Sequence, residues 1–126
     1  MAGELILIIE DNEKNRKLVR DVLQVKGYRT METETAEEGL RLAVEKSPAL
    51  ILMDIQLPGI DGITALKRLR ADPTTKQIPV MAVTASAMTH NRQTLSAEGF
   101  DGYQTKPISL KDFLEEVRRV LDARRS

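Results

Sequence analysis

The chain has 126 residues, enough for one domain with a single sizeable core, and its 19 Lys plus Arg balance 19 Asp plus Glu. A formal net charge of zero gives no global electrostatic reason to expect nucleic acid or an anionic membrane as partner. The absence of cysteine rules out disulfides, thiolate chemistry and Cys-based zinc sites, and a single histidine, His90, rules out a multi-histidine metal site. No signal-peptide pattern opens the chain and no apolar run reaches membrane-spanning length, so a soluble cytoplasmic protein is the expectation.

Leu5 to Ile9 is an unbroken aliphatic run, suited to a strand buried on both faces, and it ends in Glu10-Asp11. Strand neighbours point to opposite faces, so at most one of these two acids is expected to aim straight at a given site. Asn12 to Lys26 carries Leu18, Val19, Val22 and Leu23 at helical spacing, with Gly27 as C-cap. Tyr28 to Glu34 alternates and reads as an edge strand. Thr35 and Glu38 have the spacing of a capping box, and Leu40, Ala43 and Val44 mark the expected buried face of a second helix that Ser47-Pro48 ends.

Ala49 to Met53 is the central strand, and it closes on Asp54 with a Pro58-Gly59 turn just beyond. Ile63, Leu66 and Leu69 make a third helix; Ile78 to Val83 is a fourth strand, ending at Thr84-Ala85. A fourth helix over Ala87 to Glu98 is weakly patterned and is expected to pack loosely. Phe100 to Thr105 is a short fifth strand holding Tyr103, followed directly by Lys106-Pro107. Ser109 caps a last helix whose Leu110, Phe113, Leu114, Val117, Val120 and Leu121 fit the amphipathic template best.

Five strand and helix alternations imply a parallel sheet covered on both faces, joined by right-handed crossovers. All strand carboxyl ends then share one edge, where ligands of such sheets bind. Glu10, Asp11, Asp54, Thr84 and Lys106 are thereby expected to converge. Two carboxylates about 4 Å apart repel by roughly 4 kcal/mol at an effective dielectric near 20, so a cation belongs there. Lys106 supplies one charge, and an all-oxygen acidic pocket suits Mg²⁺, with Mn²⁺ the alternative. Asp11, Asp54 and the Gln56 backbone carbonyl are the expected direct ligands, with Glu10 holding a metal-bound water. An aspartate beside Mg²⁺, an ammonium and a hydroxyl has what phosphoryl transfer requires.

Glu10-Asp11, Leu52-Met-Asp54, Leu-Pro-Gly-Ile-Asp-Gly, Thr84-Ala85 and Lys106-Pro107 together resemble the response-regulator receiver domain of two-component signalling, over essentially the whole chain. The run around Asp54 with Lys-Pro-Ile-Ser is most similar to single-domain cell-division regulators and to receivers of hybrid sensor kinases. The resemblance implies a flavodoxin-like α/β fold with strand order 2-1-3-4-5 and phosphorylation of Asp54 from a sensor histidine kinase or a histidine phosphotransfer protein. It implies no enzymatic activity beyond the protein's own phosphorylation and dephosphorylation. Thr84 and Tyr103 match the family's switch pair, Gln56 and Ser86 occupy the family's positions that flank the water attacking the acyl phosphate, and Lys106-Pro107 matches a bond that is usually cis in the family. Glu10 stands where Asp is commoner. Asn15, Arg16, Val19, Pro107 and Ile108 are the expected exposed residues that choose the partner.

A haloacid-dehalogenase-type phosphatase needs a second aspartate two residues after its nucleophile, where Gln56 stands. A flavodoxin needs hydroxyls and glycine after strand one, where Glu10, Asp11 and Glu13 would repel a phosphate. The remaining alternative is a receiver-like interaction module that takes no phosphate. Residues 1–126 read as one receiver domain without an output domain, a monomer or weak dimer acting by binding a downstream protein.

Overall fold

A computed structural model describes residues 3–85 and 91–125, with side chains as far as Ala123. Strands β1 (Leu5–Ile9), β2 (Arg29–Thr33), β3 (Leu50–Asp54), β4 (Val80–Thr84) and β5 (Gly102–Thr105) alternate with helices α1 (Glu13–Val25), α2 (Ala36–Lys46), α3 (Gly62–Ala71), α4 (Arg92–Glu98) and α5 (Leu110–Arg125). The strands form one parallel sheet in the order β2-β1-β3-β4-β5, the flavodoxin-like arrangement expected from the sequence.

Strand side chains alternate between faces, and the two apolar layers follow that parity. Leu7, Ile9, Ile51, Met53, Val80 and Ala82 pack with residues of α2, α3 and α4, among them Ala43, Leu66 and Leu95. Ile6, Ile8, Leu50, Leu52 and Met81 pack instead with Val19 and Leu23 of α1 and Phe113, Val117, Val120 and Leu121 of α5. Every residue of β3 and β4 is buried, which is why both strands read as continuous apolar runs rather than alternating ones.

Four local expectations change. Helix α2 buries Ala36, Gly39 and Ala43, whereas Val44 is 46% exposed. The helix sits so close to the sheet that a Cβ on Gly39 would lie 2.3 Å from Ile9 Cδ1, and only its small residues fit that seam. The capping box is half formed: the Glu38 N–H donates to Thr35 Oγ1, but the Glu38 carboxylate pairs with Arg41. Leu18 and Leu110 lie on helix flanks and are 39% and 45% exposed. Helix α4 starts at Arg92, because Asn91 has extended backbone and its side chain accepts the Thr94 N–H as an N-cap; Ala87 to His90 lie outside the described residues.

Candidate phosphoacceptor site

The site grows from strand parity. Ile8 pairs with Leu52 across β1 and β3, so two residues on, Glu10 and Asp54 stand side by side on the same face at the carboxyl edge. Asp54 and Glu10 are 4% and 5% exposed, a burial that carboxylates tolerate only with partners. The partner comes from the β5–α5 loop: Lys106 Nζ lies 3.0 Å from Asp54 Oδ2 and 2.9 Å from Glu10 Oε1. The Lys106 N–H donates to the Thr84 carbonyl at 2.8 Å, which seats this loop at the end of β4, and the Lys106–Pro107 peptide is cis.

Both members of the first acidic pair reach the site. Glu10, Asp11 and Asp54 each offer a carboxylate oxygen, and the three oxygens lie within 4.8 Å of one another. The expectation that only one acid could aim there is corrected. Strand β1 ends at Ile9 but the Glu10 N–H still bonds the Thr33 carbonyl, so the pleat places Glu10 and no longer governs Asp11, which the turn into α1 brings round. Burial, followed by the neighbouring Asp54, pushes the Glu10 carboxyl from 4.5 up to about 7 although Lys106 and the Asn12 N–H oppose it. For Lys106, burial acts against the charge, but the Glu10 and Asp54 carboxylates outweigh it and raise its pKa. Three carboxylates against one ammonium leave the cluster short of positive charge, and a hard divalent cation fits that donor set.

The remaining expected residues are placed as follows. Thr84 is fully buried and pairs with Thr105 across β4 and β5. Gln56 is exposed, and its backbone N–H donates to Asp54 Oδ1 at 3.0 Å. Ser86 lies outside the described residues. Tyr103 pairs with Ala82, so by parity it stands on the same face of the sheet as Thr84, toward α4. Its ring lies 5.5 Å from the Arg92 guanidinium, and its N–H donates to Glu116 Oε2. Val19, expected among the exposed partner-reading residues, is 4% exposed and part of the core.

Several contributors carry little sequence signal. Gly62 begins α3 against the end of β3, where a Cβ would sit 2.7 Å from the Asp54 carbonyl oxygen. Glu116, nearly buried on α5, accepts from Arg92, Arg119 and the Tyr103 N–H, tying α4, β5 and α5 together. Arg16 Nη1 donates to the Glu10 carbonyl at 2.9 Å. Only the Gly following Asp61 could have been suspected, as a close backbone approach.

The model of the response regulator receiver domain family matches residues 6–118. The polar-differentiation response regulator DivK of Brucella ovis is 44% identical over 116 residues, covering 92% of this chain and 94% of its own. Among solved structures, the receiver domain of a Pseudomonas aeruginosa sensor histidine kinase, which holds a magnesium ion in its active-site cleft, superposes with a TM-score of 0.87 at 30% identity, over 96% of this chain and 99% of that one. The chemotaxis response regulator CheY4 of Vibrio cholerae, at 24% identity, shares the fold with a TM-score of 0.86, over 94% of this chain and 99% of that one. With its acids and lysine gathered at one edge of the sheet that the family model matches, the chain belongs to the response regulator receiver family.

Proposed function

We propose that the protein is the phosphoacceptor of a two-component or phosphorelay system, with Asp54 as the residue phosphorylated. The observation that carries this reading is the Lys106 ammonium shared between Asp54 and Glu10 beside Asp11. Glu10, Asp11 and Asp54 would hold Mg²⁺, with the Gln56 carbonyl as a further ligand; the ion's chemistry is to neutralise charge on the phosphoryl oxygens. The Asp54 carboxylate oxygen attacks phosphorus, the P–N bond to a donor histidine breaks, and the imidazole leaves with its electron pair and takes up a proton. Lys106 stays beside the new phosphoryl group, and the Thr84 hydroxyl donates to one of its oxygens.

An acyl phosphate adds close to two negative charges, enough to draw the Thr84 end of β4 toward it. The face formed by α4, β5 and α5, held by Tyr103 and Glu116, is the surface that a downstream protein would read. Gln56 and Ser86 would set how long the phosphoryl group lasts. A phosphate-independent interaction module is the competing reading, and the buried, complete acidic site argues against it.

The test is intact mass spectrometry after incubation with acetyl phosphate and Mg²⁺, under rapid quench, beside Asp54→Asn and an EDTA sample. One added phosphoryl mass, absent from both controls, is the expected result. No added mass under any condition would leave only the interaction module.

A further inference from the structure

We propose that Arg16 is a positioning residue for the acidic cluster, fixing the turn that delivers Glu10 and Asp11 together; this rests on the reading of that cluster as a Mg²⁺ site. Consecutive residues leaving a strand diverge unless something sets the backbone after it. Here both backbone groups of Glu10 are engaged. Its N–H donates to the Thr33 carbonyl at 3.0 Å, and its carbonyl accepts from Arg16 Nη1 at 2.9 Å. The Asn12 N–H then closes the turn on Glu10 Oε2 at 3.1 Å, and Asn12 caps α1 by accepting the Asn15 N–H.

Arg16 is itself aimed. Its Nε donates to Glu32 Oε1 at 3.1 Å, and Arg20 Nη1 holds the other Glu32 oxygen at 3.2 Å. The Arg16 side chain is 14% exposed, so it faces inward rather than outward to a partner. One planar fork thus links the end of β2, the start of α1 and the carbonyl beside both acids, which a lysine ammonium could not do in the same geometry. Since Glu32 neutralises the guanidinium, the effect on the cluster is geometric. Residues that orient metal ligands without touching the ion typically govern affinity by about 10- to 100-fold.

The experiment is a Mg²⁺ titration of the whole chain, followed by backbone amide NMR shifts, in the wild type, Arg16→Met, Arg16→Lys, Glu32→Gln and Arg118→Met. Arg118 braces Glu4 and Tyr28 at the other end of the sheet and reports stability loss alone. Mg²⁺ affinity is expected to fall by about tenfold or more in Arg16→Met and Arg16→Lys. It should fall less in Glu32→Gln and stay unchanged in Arg118→Met. A folded Arg16→Met with wild-type affinity would overturn the proposal, as would an equal loss in Arg118→Met. If Arg16→Met does not fold, Arg16→Lys and Glu32→Gln decide in its place. A wild type without saturable Mg²⁺ binding would instead overturn the metal reading on which the proposal rests.

Discussion

Glu10→Gln should stabilise the metal-free protein, and increasingly so as pH rises. The substitution keeps the shape and an oxygen for the Asn12 N–H. It removes a buried charge that faces two carboxylates within 4.8 Å, each repelling by about 3.5 kcal/mol at an effective dielectric near 20. It also forgoes the attraction of Lys106 at 2.9 Å, about 6 kcal/mol on the same scale, so the Coulomb contributions nearly cancel and desolvation decides. The carboxyl's pKa, 4.5 when free and about 7 in the fold, measures that balance. Because the folded value is the higher one, the favourable contribution is complete below pH 4.5 and is lost as pH climbs through 7. At pH 5 the folded protein still holds the proton and the cost is about 1 kcal/mol; at pH 8 it is about 3 kcal/mol. Glutamine carries no such cost. Urea denaturation in EDTA should therefore show Glu10→Gln ahead of the wild type by a margin that widens from pH 5 to pH 8. A variant no more stable at pH 8, or one with the same difference at both pH values, would refute the reasoning.

Two further perturbations follow from the packing around the site. Gly62→Ala would drive a methyl to 2.7 Å from the Asp54 carbonyl oxygen and 2.9 Å from Ile55 Cα, both main-chain atoms that cannot step aside; a loss of about 1–3 kcal/mol in urea denaturation is expected, with slower phosphorylation by acetyl phosphate. Burial raises the Glu116 carboxyl, but Arg119, the Tyr103 N–H and Arg92 outweigh it and hold its pKa below the usual value, so its stabilisation is present above the free-carboxyl range and fades as pH falls through the folded value. Glu116→Gln should cost about 1–3 kcal/mol at pH 7, less at pH 3, and speed hydrogen exchange at the Tyr103 amide; unchanged exchange there would show that Glu116 does not hold β5.

The fold and the convergence of the site were legible because chemistry-bearing residues sit at the ends of strongly apolar runs. Asp54, Glu10 and Lys106 needed only the parallel order of the strands to be brought together. Asp11 was harder, since the rule of alternating faces stops applying where β1 ends, and hydrogen bonds from distant residues take over. Helix α2 misled for a different reason. Hydrophobic pattern favours Val44, but the close approach set by Gly39 and Ala43 against Ile9 decides which face is buried. Val19 lies on the stripe that α1 turns to the sheet, where its apolar character already outweighed a role in reading partners. Arg16 reaches Glu10 and Glu32, 6 and 16 positions away, and Glu116 reaches Tyr103 and Arg92, 13 and 24 positions away, and no local pattern announces such pairings.

The central claim, that this geometry makes Asp54 the residue that takes the phosphoryl group, is tested most directly by reductive trapping. After acetyl phosphate and Mg²⁺, borohydride converts an aspartyl phosphate to homoserine, and peptide mass spectrometry locates it. Homoserine at position 54, and not at position 11, is the expected result. Homoserine at Asp11 or at another acid, or none where the intact mass shows phosphate, would contradict the account.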